Sequence, residues 1–143
     1  MQKNSKSVFV VDDDHFHLEI MKQLLDAEGV ENLYSYESGI DCLDNIHRNP
    51  DIIFLDHQMD VYSGYETLRK IKRYNPNIFV VMVSAQEDIN TAVATLKHGA
   101  FDYIKKDSHL EENIKTVLIK IEEVKQFLQA RKPSVLKSLF QFL

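Results

Sequence analysis

Asn49-Pro50-Asp51-Ile52-Ile53-Phe54-Leu55-Asp56 is the stretch around which the rest of the chain is read. Asn-Pro-Asp stops a helix from running forward, because proline biases the residue before it away from helical backbone. Four bulky apolar residues then run without interruption, which suits a strand buried on both faces in the middle of a parallel sheet. The strand ends on a carboxylate. In open α/β sheets, ligands sit just beyond the carboxyl ends of the strands, so Asp56 is expected at the rim where chemistry occurs.

Outward from this strand the pattern repeats. Val8 to Val11 is a second continuous apolar run and ends in Asp12-Asp13-Asp14. Ile78 to Val83 is the most apolar run and ends in Ser84. Phe101 to Ile104 is a short run ending in Lys105-Lys106, and Leu33 to Tyr36 forms a further short strand. Between them lie segments with helical periodicity. His15 to Glu28 places Leu18, Met21, Leu24 and Leu25 on one stripe, with Gly29 as the stop. Ser38 caps a helix carrying Ile40, Leu43 and Ile46. Gly64 opens a helix with Leu68 and Ile71 facing inward. Asp88 to His98 is read as a helix with Ile89, Ala92, Val93 and Leu96 inside. The last long helix starts near Ser108 or His109 and keeps its spacing to Leu128. Five alternations of strand and helix predict an α/β fold, a doubly wound parallel sheet with helices on both faces and right-handed crossovers. Residues 1–130 form this domain. Residues 131–143 are a short amphipathic extension or the start of a linker, with Leu136, Leu139, Phe140 and Leu143 on its apolar side.

Composition narrows the function. The chain has 143 residues, 44% hydrophobic and 27% charged, enough for one folded core. A net charge of -5 argues against direct nucleic-acid binding by this segment and against an anionic membrane surface. No stretch is long and apolar enough to span a bilayer. One cysteine, Cys42, rules out an internal disulfide and suits a reducing cytoplasm; its apolar helical setting reads as core.

Parallel strands share direction, so Asp12, Asp13, Asp56, Ser84 and Lys106 should converge on one edge of the sheet. Three carboxylates in one pocket repel each other unless a cation is present. Mg²⁺ accepts a few carboxylates and keeps phosphate oxygens and water in its octahedron. A carboxylate is also a competent phosphoryl-accepting nucleophile. With Mg²⁺ on one side, the Lys106 ammonium on another and the Ser84 hydroxyl as a donor, the set proposes an aspartyl phosphate at Asp56. Asp14 is expected only to cap the first helix or face solvent. Asp14, His15 and His17 have no standard metal-ligand spacing, and His15 and His17 read as surface helix residues.

Val-Val-Asp-Asp at 10–13, Phe-Leu-Asp at 54–56 with Gly64 eight positions on, Val-Ser-Ala at 83–85 and Gly-Ala-Phe-Asp-Tyr-Ile-Lys-Lys at 99–106 together resemble the receiver domain of bacterial two-component response regulators. The resemblance covers about Ser7 to Leu128. It implies a flavodoxin-like, five-stranded sheet of order 2-1-3-4-5. It also implies roles. Asp56 is the phosphoacceptor, and Asp12 and Asp13 are Mg²⁺ acids. Gln58 offers its backbone carbonyl to the metal. Ser84 is the switch hydroxyl, Tyr103 the rotating aromatic and Lys106 the phosphate-binding lysine. Lys106 is chosen over Lys105 because it lies seven residues after Gly99 and three after Tyr103. Three departures from the family pattern matter. Asp107 stands where a proline usually follows the lysine, Asp60 stands where a proline lies four past the acceptor, and glutamine occupies both Gln58 and Gln86, positions that tune loss of the phosphate.

The function implied is a Mg²⁺-dependent switch. It takes its phosphoryl group from a sensor histidine kinase or phosphotransfer protein, catalyses only its own phosphorylation and dephosphorylation, and alters a protein-binding face near the fourth helix, fifth strand and last helix. That face is also a possible homodimer contact. Two rivals stand beside it. A phosphatase of the haloacid dehalogenase type carries a second aspartate two residues after its nucleophile, where this chain has Gln58. A receiver-like interaction module that is never phosphorylated would not need the intact set of acids, hydroxyl and lysine. The segment is either a single-domain regulator or a receiver cut from a longer chain.

Overall fold

The computed structural model describes residues 6–59, 63–85 and 88–131. Asp60, Gln86 and the amphipathic stretch expected beyond Arg131 lie outside the described residues. In chain order the elements are β1 (Ser7–Val11), α1 (His15–Ala27), β2 (Asn32–Tyr36), α2 (Gly39–Asp44), a single 3₁₀ turn (Ile46–Arg48), β3 (Ile52–Asp56), α3 (Gly64–Tyr74), β4 (Phe79–Ser84), α4 (Ile89–Lys97), β5 (Asp102–Lys105) and α5 (Leu110–Ala130). The five strands form one all-parallel sheet in the order β2-β1-β3-β4-β5.

The uninterrupted apolar runs make sense once both faces of the sheet are covered. Alternate side chains point to opposite faces of a strand. Val8, Val10, Ile52, Phe54, Val81, Val83 and Ile104 pack with Leu18, Met21 and Leu25 of α1 and with Leu110, Ile114, Val117 and Ile121 of α5. Phe9, Val11, Ile53, Leu55, Val80 and Met82 pack with Cys42 of α2 and with Leu68 and Ile71 of α3. All of β3 is buried. Each large apolar side chain removed from water in this way contributes about 1.5–3 kcal/mol, which is why the central strands dominate the core. Cys42 is fully buried, and burial pushes its thiol up to about 12, so it is an inert core residue as expected.

Local signals set the helix ends. Asp14 caps α1 by accepting from the N–H groups of Phe16 and His17, and Ser38, Ser63 and Asp88 cap α2, α3 and α4 in the same way. Gly99 adopts φ 104° just past α4, a left-handed conformation that glycine enters without a Cβ penalty. The second helix is shorter than its apolar spacing suggests. It ends at Asp44, Ile46 belongs to the 3₁₀ turn, and Ile40 is exposed.

The largest departure from expectation is α4. Ile89, Val93 and Leu96 do not face the core: they are 80%, 43% and 44% exposed. Thr95 is the buried residue of this helix, with its hydroxyl donating to the Ala92 carbonyl. Periodicity reveals that an apolar stripe exists; it carries no information about what covers it. No helix among the described residues is long and apolar enough to cross a membrane.

At the head of α3, Gly64 sits against the backbone of Asp56 and His57, and an added Cβ would collide with the Asp56 carbonyl oxygen. Its N–H donates to the His57 carbonyl at 3.0 Å, tying the loop after β3 to α3. Because the obstruction is backbone, Gly64→Ala is expected to lower stability by about 1–3 kcal/mol, the usual cost of forcing atoms into a packed site, measured by urea unfolding.

Candidate functional site

Strand register assembles the site. Val11 of β1 pairs with Leu55 of β3, so Asp12 and Asp56 follow side by side at the same edge. Asp12 is still held in strand-like backbone by its N–H, which donates to the Tyr36 carbonyl at 3.1 Å. Asp56 pairs with Val83, which brings Ser84 one step further along the neighbouring strand. Ser84 in turn pairs with Lys105, and the Lys106 N–H donates to the Ser84 carbonyl at 2.8 Å. Four strand ends thus deliver two buried carboxylates, a buried serine and a lysine to one rim.

The carboxylates of Asp12, Asp13 and Asp56 approach within 4.8 Å of one another. Asp12 and Asp56 are 2% and 5% exposed, while Asp13 is open to solvent. Lys106 Nζ bridges the buried pair, at 2.7 Å from Asp12 Oδ2 and 3.2 Å from Asp56 Oδ1. Lys105, its strand neighbour, is not the bridging lysine, in keeping with the alternation of side chains along a strand. The backbone does not continue into a cis bond after Lys106, since no cis peptide occurs among the described residues. Asp107 instead accepts from the His109 N–H through Oδ1 at 2.8 Å and from the Leu110 N–H through its carbonyl at 3.1 Å. This is an Asx-type turn that leads the chain into α5.

Electrostatics separates the two buried acids. Burial raises the Asp12 carboxyl, but the adjacent His17 imidazole, the Lys106 ammonium and the Asp14 N–H outweigh it and hold Asp12 at about 2. Asp56 moves the other way. Burial and then repulsion from Asp12 push it up to about 6, only partly countered by Lys106 and a hydrogen bond from the Gln58 N–H. For Lys106, burial acts to lower the ammonium, and its contacts with Asp12 and Asp56 more than reverse that. One cation therefore serves two buried anions, and an acidic, oxygen-rich pocket with unbalanced negative charge is a fit site for a hard divalent ion.

The structure brings together Asp12, Asp13, Asp56, Ser84 and Lys106. Gln58 is exposed in the loop after β3 and contributes its N–H to Asp56; Tyr103 is half-buried against the core, its ring centroid 6.4 Å from that of His57. His15 is an exposed surface residue paired with Glu37 at 2.7 Å. His17 is not a surface residue. Its side chain is 13% exposed and its Nδ1 lies 3.1 Å from Asp12 Oδ2. Helical side chains tilt toward the N-terminus, so the third residue of α1 reaches back to the carboxylate that precedes the helix. Its two-residue offset from His15 was the available signal, because the two cannot share a helix face.

The profile of the response regulator receiver domain matches residues 8–118. The transcriptional regulatory protein ZraR of Escherichia coli O157:H7 is 33% identical over 141 residues, covering 98% of this chain and 32% of the relative. The DNA-binding transcriptional regulator NtrC of Escherichia coli K12 is 29% identical over 125 residues, covering 87% of this chain and 26% of the relative. The chain thus spans about a third or less of the length of these curated relatives. Among solved structures, a response regulator receiver domain protein from Clostridium thermocellum superposes with a TM-score of 0.79 at 25% identity, over 86% of this chain and 98% of that one. A CheY-like receiver domain protein from Methanospirillum hungatei gives 0.74 at 26% identity, over 85% and 97%.

A raised Asp56 means that folding disfavours its ionised form. The cost is absent below the ordinary value of 3.8, grows as pH rises, and is complete above about 6. Asp56→Asn should therefore raise the Tm measured in chelator at pH 7.5, and the gain should shrink as pH falls from 6 to 4 in thermal melts of the two proteins.

Proposed function

Given that the chain belongs to the response regulator receiver domain family, we propose that Asp56 is its phosphoacceptor and that the residues around it turn one covalent event into a change of binding surface. The observation that carries this reading is a buried carboxylate at the end of β3, flanked by Asp12 and Asp13 and touched by Lys106. In the proposed reaction an Asp56 carboxylate oxygen attacks the phosphorus of a phosphohistidine on a sensor kinase or phosphotransfer protein. The new P–O bond forms as the P–N bond breaks, and the departing imidazole takes a proton from water. Asp56 is suited to the attack because burial and Asp12 destabilise its charge, which makes it a more basic nucleophile than a solvated aspartate. Mg²⁺, held by Asp12, Asp13, Asp56 and the Gln58 carbonyl, would neutralise charge on the phosphoryl oxygens. Lys106 turns its ammonium from the carboxylates to a phosphoryl oxygen, a move its flexible stem allows.

The switch follows from charge placed against a buried hydroxyl. Ser84 is fully buried beside the acceptor, so its side chain is drawn toward the phosphoryl group, and Tyr103 moves into the space released. Ser84 ends the strand that precedes α4 and Tyr103 lies on β5, which packs against α4; the exposed Ile89, Val93 and Leu96 of α4 make the α4–β5–α5 face the surface that responds. A target protein or a second copy of the chain docks there. The domain extends to about residue 130, DNA contact by any longer protein falls outside this segment, and the cytoplasm is its setting, in keeping with a net charge of -5 and a buried thiol.

Intact mass after incubation with a small phosphodonor and Mg²⁺ tests the reading. The wild-type protein should gain one phosphoryl group; Asp56→Asn, and the wild type in chelator, should gain none. A folded sample that binds Mg²⁺, gains no mass and shows no spectral change with beryllofluoride would replace this reading with that of an unphosphorylated interaction module.

A further inference from the structure

His17 Nδ1 is buried and makes no well-aligned hydrogen bond among the described residues, although it lies only 3.1 Å from Asp12 Oδ2. The approach is close but out of line. Buried polar atoms are nearly always satisfied, and one that is not demands an explanation. A leucine at this position would extend the apolar stripe of Leu18, Met21 and Leu25 without leaving a buried nitrogen to satisfy. The nitrogen is aimed at the carboxylate oxygen that Lys106 also holds, at 2.7 Å. Asp12 Oδ1 is separately committed to the Asp14 N–H at 2.9 Å.

These contacts put a conflict at Oδ2. The proposed reaction needs Lys106 on a phosphoryl oxygen, and that takes away the shortest contact of a carboxylate that is almost completely buried. A carboxylate that must serve as a cation ligand cannot be left free to rotate, because hydrogen bonds to ligating groups set both their orientation and the affinity of the site. A small rotation of the imidazole would align an Nδ1–H with Oδ2 as Lys106 leaves. Resting on the reading of the acidic pocket as a Mg²⁺ site, we propose that His17 is a positioning residue: its Nδ1–H takes over Asp12 Oδ2 from Lys106 and holds the Asp12 carboxylate in place as a metal ligand. His17 touches neither phosphoryl group nor cation and acts only through Asp12.

Calorimetric titration of the whole protein with Mg²⁺ tests this with His17→Leu and His17→Asn. Leucine keeps the volume and removes the donor; the asparagine amide nitrogen stands roughly where Nδ1 does. His17→Leu should bind Mg²⁺ about 10–100-fold more weakly, the usual effect of removing a hydrogen bond to a metal ligand, with a Tm in chelator no lower than that of the wild type. His17→Asn should stay close to the wild-type affinity. In the Mg²⁺-loaded wild type, long-range ¹H–¹⁵N spectra should place the His17 proton on Nδ1. Unchanged Mg²⁺ affinity in His17→Leu would overturn the proposal, as would an asparagine variant as weak as the leucine one, or a proton found on Nε2 with none on Nδ1. A wild-type protein that binds no Mg²⁺ would overturn the reading of the pocket itself, and this role with it.

Discussion

Lys106 is the only cation bridging Asp12 and Asp56 among the described ion pairs, and the rest of the site is organised by that shortage. Asp12 takes the larger share of the ammonium, together with His17 and a backbone N–H, and stays ionised. Asp56 is left with burial, a like charge beside it and the longer contact. Removing Lys106 would typically cost about 3–5 kcal/mol, because two carboxylates would then stay buried without a cation. The same imbalance that makes the pocket expensive makes it receptive. A divalent ion relieves the repulsion, and a phosphoryl group gives the lysine a better partner. Stability and reactivity are here two consequences of one charge count.

The sheet makes that imbalance reproducible. Asp12, Asp56, Ser84 and Lys106 are each placed by strand register or by a hydrogen bond to a strand end, and Asp13 and Gln58 follow one and two residues beyond such positions. The loop after β3 is tied back by Gly64 N–H to His57, and the chain after β5 enters α5 through the Asp107 turn. That turn explains how aspartate serves at a position where the family usually has proline. Its side chain organises the next residues by hydrogen bonding, where a pyrrolidine ring would do so by fixing φ. On the far side of the domain, Asp51 accepts from the Ser7 N–H at 2.9 Å and from Lys125 at 3.2 Å, joining the starts of β1 and β3 to α5.

Two positions expose the limits of pattern reading. The α4 stripe of Ile89, Val93 and Leu96 has the spacing of a core face, yet it borders solvent: Thr95 is the one fully buried residue of that helix, with the small Ala92 and Ala94 half-buried. An apolar stripe is equally compatible with burial inside a domain and with burial against a partner, and the local sequence is the same in both cases. His17 errs in the opposite direction. A polar residue in the first turn of a helix is ordinarily solvated, but here the tilt of the helical side chain carries it back over the strand end and into the acidic pocket.

Much of the molecule was legible in its residues because the relevant signals are local. Continuous apolar runs marked the buried strands, Ser38 and Asp14 marked helix starts, Gly29 marked an end, and an acid, a serine or a lysine stood at the ends of β1, β3, β4 and β5. Parallel direction then sufficed to place Asp12, Asp13, Asp56, Ser84 and Lys106 on one edge, and a resemblance to receiver domains supplied the strand order. What only the tertiary structure decided was how neighbouring groups share one another. That includes which carboxylate Lys106 holds more tightly, which acid is therefore raised and which lowered, whether an apolar helix face is covered, and whether a histidine meets solvent or a carboxylate. These depend on distances between residues far apart in the chain and on the exclusion of water between them. Neither is a property of any local stretch of sequence.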